Sequence, residues 1–398
     1  MSTLKTINDI ENIKGKKVVV RADLNVPTEG TTITDSSRID RFAPTAKLLS
    51  DKGAKVIIIT HFGRPKGKKS PEFSVEFMVE NLSSAIGKPV KFVDDVIGEK
   101  VESAIASMNN GDILLLENVR FYAEEEANDP EFSKKLASLG EIYINDAFST
   151  SHRAHASTEG ITKYLPSYAG LLMEEEINAL TKALENPVHP AIAIVGGAKV
   201  STKLAVLENI TKKVDALVIG GAMANTFLLA QGYNIGKSLA EPDMKDIALK
   251  ILDDAKKNGC EILLPIDVCV TKEIKENAEN KFVGINDVES DAIILDIGPE
   301  TSKMFDEKFK TAKTILFNGP VGLFEMKPFD RGTNELAKTV AKLTREGQLI
   351  SVAGGGDTVS ALNNAGVESD FTYISTAGGA FLEWLEGKIL PAIPPLKK

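Results

Sequence analysis

Short apolar segments recur along the whole chain, separated by longer amphipathic stretches. The apolar segments are rich in valine, isoleucine and leucine with little polar alternation, which is typical of strands buried on both faces of a parallel sheet. They read KVVVRADLN, KVIIITHFG, DILLLENVRF, EIYINDAFS, AIAIVGGAK, ALVIGGAMAN, EILLPIDVCV, AIILDIGPE, TILFNGPVG and QLISVAGGG. Because stretches such as EFSVEFMVENLSSAIG and MKDIALKILDDAKKNG have helical periodicity, the pattern predicts an α/β fold with parallel sheets.

The number of predicted strands bears on the domain count. Ten or more strands are many for one open sheet, so we expect two sheets and two domains in the 398 residues. The stretch GLLMEEEINALTKALENPVHP predicts one long helix before Pro187 and Pro190, which would join the domains near residues 170–190. The end of the chain, KILPAIPPLKK, is too rich in proline to form a regular helix.

Composition narrows the class of protein. The formal net charge of −9 argues against general binding of nucleic acid or acidic membranes, although a local site can still bind a small anion. The spacing of Cys260 and Cys269 fits neither a zinc site nor a redox pair. The start, MSTLKTINDI, has no apolar signal core, and no apolar run approaches the length of a membrane span. We therefore expect a cytoplasmic protein with reduced cysteines.

In the first half, basic and amide side chains follow the predicted strands, where open parallel sheets bind ligands. These residues are Asp23, Asn25, Arg38, His61, Arg64, Glu117, Asn118, Arg120, Asn145, Asp146, His152, Arg153 and His155. Four arginines among them could converge on one anion, because guanidinium groups bind carboxylate and phosphate in a bidentate manner. The alternative is surface arginines in ion pairs. The two histidines at 152 and 155 lack a third metal ligand at good spacing, which favours anion contact or structural hydrogen bonds.

In the second half, glycines take the place of the arginines. They are Gly196, Gly197, Gly220, Gly221, Gly319, Gly354, Gly355 and Gly356. Glycine allows a ligand to approach the backbone, and free N–H groups at helix starts bind anions. Asp357 follows the last of these glycines and could hold Mg²⁺ together with phosphate oxygens. A strict GxGxxG is missing from this run, so a dinucleotide site is weakly supported.

Two further features of the second half concern phosphate. If a helix starts near Ala198, Lys199 and Lys203 share one face of its first turns and could reach a phosphate; the alternative is two solvated lysines. The junction STAGGAFLEWLEG, residues 375–387, offers another cluster of N–H groups at a helix start. By contrast, GYNIGKS at 232–238 has one residue too few for a phosphate-binding loop and no helix after it, so we predict an ordinary turn with a solvated Lys237.

The two halves together suggest phosphoryl transfer. One offers arginines for a small anion, and the other offers glycines, lysines and an aspartate for a nucleotide. No serine, cysteine or histidine stands out as an activated nucleophile, which suits a reaction catalysed by positioning and charge neutralisation.

The motifs behind these features resemble the phosphoglycerate kinase family over nearly the whole chain. They are VRADLNVP (20–27), THFGRPKG, LLLENVRFYAEEE, NDAFSTSHRAHAST, VGGAKVSTKL, LFNGPVGLFE, VAGGGDT and GGAFLEWLEGKILP (378–391). The resemblance implies reversible phosphoryl transfer between 1,3-bisphosphoglycerate and ADP, giving 3-phosphoglycerate and ATP, with Mg²⁺. It also implies two Rossmann-like domains with parallel sheets, joined by a long helix, and a C-terminal tail that returns to the first domain.

The resemblance divides the chain into functional segments. It implies a 3-phosphoglycerate-binding domain at 1–170, a linker helix at 171–188, a nucleotide-binding domain at 189–380 and a returning segment at 381–398. It further implies a monomer whose two domains close on their ligands. A nicotinamide-dependent dehydrogenase and a non-catalytic, two-lobed anion-binding protein remain the alternative functions.

Site residues also follow from the resemblance. The phosphoglycerate site would comprise Asp23, Asn25, Arg38, His61, Arg64, Arg120 and Arg153. The nucleotide site would comprise Lys203, Gly196, Gly197, Gly220, Gly221, Asn318, Pro320, Glu325, Gly354, Gly355, Gly356, Asp357 and Thr358. The groups near the transferred phosphoryl would be Arg38, Lys199, Lys203, Gly378 and Gly379, and Asp357 would help to hold Mg²⁺ with the nucleotide phosphates. Ala377 replaces a glycine that the family usually has, which could restrict its loop.

Overall fold

The computed structural model describes residues 4–398, which divide into two compact units. The first unit contains residues 4–177 together with Ile389–Lys398, and the second contains Asn178–Lys388. Each unit has a six-stranded sheet of parallel strands with helices between them. The predicted α/β class with two parallel sheets is therefore confirmed.

The first unit contains eight strands and the start of a linking helix. Its strands are β1 Lys17–Ala22, β2 Thr28–Glu29, β3 Thr32–Ile33, β4 Lys55–Ile59, β5 Val90–Val93, β6 Ile113–Leu116, β7 Ile142–Asp146 and β8 Ser167–Ala169. Its helices are α1 Ser37–Asp51, α2 Val79–Ile86, α3 Glu99–Ala106, α4 Ala123–Glu126 and α5 Pro130–Ala137. The helix α6, Leu171–Leu180, leads out of this unit.

The order of strands in the first sheet is β5-β6-β4-β1-β7-β8, and every pairing is parallel. Strands β4, β6 and β5 lie on one side of β1, and strands β7 and β8 lie on the other side. The strand order thus reverses between β1 and β7, and ligands of open α/β sheets bind at the carboxyl ends of strands at such a point.

Both faces of this sheet are covered. Val18 and Val20 of β1 belong to one apolar core, while Val19 between them belongs to the other. Successive side chains of a strand point to opposite faces, so burial on both sides requires apolar residues at consecutive positions. This requirement explains why the strand segments of the sequence lack polar alternation.

The expected linker helix is present but not uniform. After α6, residues Thr181–Glu185 form a wider π-helical turn before the prolines. The C-terminal tail pairs with the first unit, where Leu4 forms a bridge with Lys397 and the Ala392 N–H donates to the Ser151 carbonyl at 3.2 Å. This return begins at Ile389, later than the expected 381.

The second unit contains nine strands and seven helices between residues 178 and 388. Its strands are β9 Ala191–Gly196, β10 Ala216–Gly220, β11 Glu261–Leu263, β12 Asp267–Thr271, β13 Asn280–Gly284, β14 Ile293–Ile297, β15 Thr314–Asn318, β16 Ile350–Gly354 and β17 Tyr373–Ser375. Its helices are α7 Leu204–Ile210, α8 Ala222–Ala230, α9 Lys245–Lys257, α10 Pro299–Phe309, α11 Arg331–Arg345, α12 Gly356–Ala365 and α13 Gly379–Leu385.

The second parallel sheet has the order β11-β10-β9-β15-β16-β17 and reverses between β9 and β15. A separate antiparallel sheet, β13-β12-β14, was not predicted from the sequence. The segment EILLPIDVCV, read as one strand, is in fact divided between β11 and β12. Pro265 lies between these strands, and proline has no backbone N–H with which to continue a sheet ladder.

The structure has no candidate for a membrane-spanning helix within residues 4–398. None of their helices combines the length and the apolar character that crossing a bilayer requires.

Candidate active site

In the first unit, Asp23 lies just after β1, beside the point at which the strand order reverses. Its carboxylate accepts hydrogen bonds from Arg38 and from the Ser149 hydroxyl, and its Oδ1 lies 3.9 Å from His61 Nδ1. Burial by itself would raise the pKa of Asp23, but the charge of Arg38, the Ser149 hydrogen bond and the charge of Arg21 help to hold it below its usual value. Asp23 is therefore an ionised acceptor that orients Arg38.

His61 follows β4 and is almost fully buried. Its Nδ1 lies 3.1 Å from Nη2 of Arg21, whose side chain is only 1% exposed. Burial, followed by the charge of Arg21, holds the pKa of His61 well below its usual value, although Asp23 opposes this effect. His61 is therefore neutral at physiological pH.

Five basic side chains form what we call the basic cluster: Arg21, His61, Arg120, Arg153 and His155. Their proximity is apparent from their mutual electrostatic effects. Burial and the charges of Arg21 and Arg153 lower the pKa of Arg120, despite the nearby Glu126. Burial, together with Arg120, Arg21 and Arg153, lowers the pKa of His155 to about 4. Three arginines this close together are typical of a site for a polyanion.

Other predicted residues of the first unit have different positions. Arg64 is exposed on the loop after β4. Asn25 accepts a hydrogen bond from the Gly63 N–H at 2.9 Å, while Arg120 donates to the Gly63 carbonyl at the same distance. Asn118 donates to the Phe62 carbonyl at 2.7 Å. These amides and Arg120 fix the loop that carries Arg64.

Two acidic strand-end residues have structural contacts. Glu117 accepts hydrogen bonds from the Ser74 hydroxyl at 2.8 Å and the Val75 N–H at 3.0 Å. Asp146 accepts one from the Met173 N–H in the first turn of α6 at 3.0 Å. Both carboxylates thus satisfy backbone donors of neighbouring segments.

Arg21 was missed as a candidate from the sequence, since it belongs to β1 itself and does not follow the strand. The signal was available: an arginine in the apolar run KVVVRADLN must be buried in the sheet. A buried guanidinium requires partners, and here they include Ser157 and His61.

In the second unit, the backbone ends of β9 and β15 approach very closely. A Cβ on Gly196 would lie 1.8 Å from the Pro320 carbonyl oxygen, so no larger residue fits there. Beside this close approach of the two strand ends, Lys203 Nζ donates a hydrogen bond to Asn318 Oδ1. Burial lowers the pKa of Lys203, and the charge of Asp357 opposes that effect. The structure thus brings Lys203, Asn318 and Asp357 together at the point of strand reversal.

The predicted helix start near Ala198 is wrong. Residues 197–203 form turns and α7 begins at Leu204, so Lys199 and Lys203 do not lie four positions apart on a helix. The Gly197 carbonyl accepts a hydrogen bond from the Met223 N–H at 2.9 Å, and this contact uses the backbone directly after β9. Lys199 is exposed, whereas Lys203 is half-buried.

The run VAGGGDT ends β16 and starts α12, a helix of ten residues. Gly355 precedes the helix with a φ of 99°, and Thr358 accepts a hydrogen bond from the Gly319 N–H at 2.8 Å. A cleft of about 430 Å³ lies beside this helix start. Its lining includes Gly355, Gly356, Val359, Ser360, Thr376 and Gly378. The cleft therefore presents backbone N–H groups to any anion inside it.

The remaining predicted residues of the second unit lie near other helix starts or on loops. Gly220 ends β10 and Gly221 precedes α8. Gly378 precedes α13, which begins at Gly379, and both glycines are exposed, as is Glu325. Ala377 has no left-handed φ, so its methyl group does not strain the backbone.

The donor set near Asp357 fits a magnesium ion held mainly by a ligand. Asp357 is an exposed carboxylate in the first turn of α12. Within residues 4–398, no group of three or more His, Cys, Asp or Glu side chains could hold a metal ion. Mg²⁺ typically takes one or two carboxylates together with substrate phosphates, and a lone carboxylate in the helix turn beside this cleft suits that pattern.

The stretch GYNIGKS forms no phosphate loop. The Lys237 N–H donates to the Ala292 carbonyl at 2.7 Å within a turn, and its side chain is exposed. The chain continues through an irregular segment before the next helix, as predicted.

Fold and site together define an α/β protein of two units, each with a candidate anion site at the carboxyl edge of its parallel sheet. The family model for phosphoglycerate kinase matches residues 7–388. The chain therefore belongs to the phosphoglycerate kinase family.

Individual relatives are similar to this chain over nearly their full lengths. A phosphoglycerate kinase of Mesorhizobium japonicum is 56% identical over 398 residues, with all of both chains covered. One of Methylorubrum extorquens is 54% identical over 397 residues, covering 100% of this chain and 99% of the relative. The solved phosphoglycerate kinase of Coxiella burnetii has a TM-score of 0.93 at 43% identity, with 99% of each chain covered. That of Pyrococcus horikoshii has a TM-score of 0.78 at 32% identity, covering 99% of this chain and 98% of its own.

Proposed function

We propose that this chain is an ATP:3-phospho-D-glycerate 1-phosphotransferase. It transfers a phosphoryl group reversibly between 1,3-bisphosphoglycerate and ADP, giving 3-phosphoglycerate and ATP. Beyond family membership, the observation that carries this proposal is the pairing of two different anion sites in one chain. One is a buried basic cluster, and the other is a glycine-lined helix start with Lys203 beside it. A dehydrogenase needs neither arrangement.

The basic cluster and its surroundings would bind 3-phosphoglycerate. Arg120 and Arg153, with Arg64 on the neighbouring loop, would hold the remote phosphate in bidentate contacts. Asp23, Asn25 and His61 would contact or orient the rest of the substrate. We accordingly assign substrate binding to a domain at 1–170, completed by the returning segment Ile389–Lys398.

The glycine-rich edge of the second unit would bind the nucleotide. Backbone N–H groups at the starts of α8, α12 and α13 would face phosphates, while Asn318, Pro320 and Glu325 would contact the remainder of the nucleotide. We assign this role to a domain at 189–380, joined to the first by the linker helix at 171–188.

Catalysis would rest on charge neutralisation. The acceptor carboxylate of 3-phosphoglycerate is ionised at pH 7, so no general base is needed. Arg38 and Lys199 would neutralise the transferring group, and Lys203 would orient the terminal phosphate of ATP. Asp23 contributes indirectly, because its carboxylate fixes the guanidinium of Arg38.

Asp357 would hold Mg²⁺ together with the nucleotide phosphates, and the ion would neutralise phosphate charge in the bound complex. Asp357 also lowers the cost of burying charged Lys203. We expect activity to be lost with excess EDTA and restored by added Mg²⁺.

We also infer a cytoplasmic monomer that acts on small molecules and binds neither nucleic acid nor membranes. The net charge of −9 supports the absence of nucleic-acid binding. Size-exclusion chromatography with light scattering tests the monomer, since a dimer would elute at twice the mass.

A coupled assay tests the function. Purified protein is mixed with 3-phosphoglycerate and Mg-ATP, and glyceraldehyde-phosphate dehydrogenase with NADH reports the product. We expect NADH oxidation that requires both substrates. Oxidation of NADH without the coupling enzyme would support a dehydrogenase instead, and binding of 3-phosphoglycerate without turnover would support a non-catalytic binding protein.

A further inference from the structure

Glu125 is a fully buried carboxylate in α4, next to the basic cluster. Burial raises its pKa, while Arg21, Ser157 and Arg120 counteract the burial. The residues on either side, Glu124 and Glu126, are exposed. A buried carboxylate is costly unless it is paired and hydrogen-bonded, so its partners indicate why it is present.

Both carboxylate oxygens of Glu125 accept hydrogen bonds from Ser157. The Ser157 hydroxyl lies 2.6 Å from Oε1, and the Ser157 N–H lies 2.9 Å from Oε2. The same hydroxyl oxygen accepts a hydrogen bond from Arg21 Nε at 2.8 Å. A serine hydroxyl has one proton to donate and can accept in addition. The order of donation is therefore Arg21 to Ser157, and Ser157 to Glu125.

Arg21 passes this orientation on to His61. A guanidinium group has only donors, so Nη2 of Arg21 must donate to His61 Nδ1 at 3.1 Å. An Nδ1 that accepts cannot carry a proton, and a neutral imidazole then has its proton on Nε2. A second bond, from Arg21 Nη1 to the Ala22 carbonyl, fixes the plane of the guanidinium.

We propose that Glu125 is a positioning residue for the substrate-binding cluster. Through Ser157 it holds Arg21 in the orientation that keeps His61 as the neutral Nε2–H tautomer. His61 then offers one hydrogen-bond donor in a fixed direction, and Arg21 does not turn toward a bound anion. This inference rests on the proposed function only where substrate affinity is concerned, because the tautomer of His61 can be measured without any ligand.

The charges around Glu125 allow a positioning role to be distinguished from a simple charge effect. Arg21, Arg120 and His155 lie near Glu125, with His155 Nδ1 3.8 Å from Oε1. If the carboxylate acted only through its charge, its neutralisation would make the cluster more positive and strengthen anion binding. If it positions Arg21, the same change weakens anion binding. The two explanations thus predict opposite signs.

The first experiment compares Glu125→Gln with Glu124→Gln. The control removes one negative charge from the adjacent, exposed position of the same helix. Affinities for 3-phosphoglycerate and for Mg-ATP are measured by calorimetry. We expect Glu125→Gln to weaken 3-phosphoglycerate binding by about tenfold, as loss of orienting partners does at other sites, and to leave Mg-ATP affinity unchanged. Glu124→Gln should change neither affinity.

The second experiment uses Ser157→Ala, which keeps the carboxylate but removes the link to Arg21. We expect it to weaken 3-phosphoglycerate binding in the same direction as Glu125→Gln. The Glu125→Gln protein could fail to fold, and in that case Ser157→Ala carries the test. Circular dichroism and thermal melting of each variant establish that it is folded.

Nitrogen-15 NMR of the histidine rings provides a readout independent of binding. The chain has four histidines, so His61→Gln assigns the His61 signal. We expect the wild type and Glu124→Gln to show an acceptor-type Nδ1 and a protonated Nε2. Ser157→Ala and Glu125→Gln should shift both nitrogens toward a mixture of tautomers.

The experiments distinguish a failure of the positioning role of Glu125 from a failure of the proposed function. Stronger 3-phosphoglycerate binding in Glu125→Gln, or an unchanged His61 spectrum in Ser157→Ala, would overturn the positioning role. If the wild type itself binds no 3-phosphoglycerate, the proposed function fails, while the NMR comparison still decides the tautomer.

Discussion

The two units present different kinds of candidate anion-binding groups. The first unit places charged side chains at the edge of its sheet, with Arg21 and Arg120 almost completely buried. The second unit places glycines there, so that backbone N–H groups line a cleft beside α12. Both arrangements lie at the carboxyl ends of parallel strands, the second one after β16 and β17. The same edge of a parallel sheet can thus carry either kind of group.

The difference lies in what each site requires from the rest of its unit. Clustered arginines repel one another, and buried carboxylates such as Glu125 and Asp23 are needed to orient them. Backbone donors bring no net charge, but they require glycine where the chain turns or packs closely. Substitutions should therefore damage the first site through charge and geometry, and the second mainly through backbone conformation.

The largest effect is expected from Arg38→Ala. If Arg38 stabilises the transition state as proposed, its removal should lower kcat by about 10³-fold, in the range of other lost electrostatic donors. Because Arg38 belongs to the first unit, the affinity for Mg-ATP should remain nearly the same. Steady-state kinetics and nucleotide titration measure the two quantities.

Arg345→Ala is the matched control for Arg38→Ala. Arg345 forms an exposed ion pair with Asp370 at 2.7 Å, and such pairs contribute little. Its turnover should equal that of the wild type. Normal turnover in Arg38→Ala would remove Arg38 from the mechanism.

A smaller effect is expected when Lys203→Ala is compared with Lys237→Ala. Lys203 is half-buried beside Asn318, whereas Lys237 is exposed on a turn. Loss of a charge-assisted phosphate contact of about 1.5–3 kcal/mol corresponds to roughly 10- to 100-fold weaker ATP binding. Lys237→Ala should bind ATP as the wild type does. The reverse ranking of the two variants would place the nucleotide at GYNIGKS.

The sequence predicted the fold well where buried strands leave a clear pattern. The parallel strands follow from unbroken apolar runs, and the helix at 171–180 follows from its periodicity. The antiparallel sheet was missed, because β12 and β14 are as apolar as the parallel strands. Strand direction depends on tertiary pairing, which the pattern of apolar residues does not encode.

Within the site, residue types were easier to predict than local geometry. Lys203 lies near Asn318 and Asp357, two other residues predicted for the nucleotide site, but the helix after it starts six residues later than expected. Arg21 and Glu125 were not predicted as site residues, since their importance lies in contacts across 136 and 32 positions of sequence to Ser157. The apolar run around Arg21 indicates that its side chain is buried, but no local pattern indicates which distant residue it contacts.

A still smaller effect, on stability, compares Gly355→Ala with Gly356→Ala. Gly355 has a φ of 99°, and an added Cβ would lie 3.0 Å from Asn318 Nδ2, whereas Gly356 is helical with open space around it. Gly355→Ala should destabilise the protein by about 1–3 kcal/mol. Gly356→Ala should be neutral or stabilise slightly, since alanine is the better helix former. Thermal melting measures both, and equal melting temperatures would contradict a strained turn at Gly355.

The weakest expected effect is a pH dependence of stability, which comes from one buried aspartate in each unit. Asp146 accepts from the first turn of α6, and Asp296 accepts from the Gly332 N–H in α11 at 2.7 Å. Burial raises the pKa of Asp146 to about 6 and that of Asp296 to about 7. Because its pKa is raised in the folded state, each aspartate keeps its proton in the folded protein at pH values where the unfolded chain has already released it. The stability that this difference contributes is fully present below the ordinary pKa of aspartate. It is lost as pH rises through about 6 for Asp146 and about 7 for Asp296.

Asp296→Asn should therefore flatten the fall in melting temperature between about pH 4 and pH 7, because only there do the folded and unfolded states differ in the proton on Asp296. Asp146→Asn should flatten only its lower part, because the native pKa of Asp146 is lower. Asp243→Asn, at an exposed position, serves as the control and should keep the wild-type slope. If Asp296→Asn also keeps that slope, then Asp296 is not the group that releases its proton when pH rises. The pH dependence of the second unit would then have another origin.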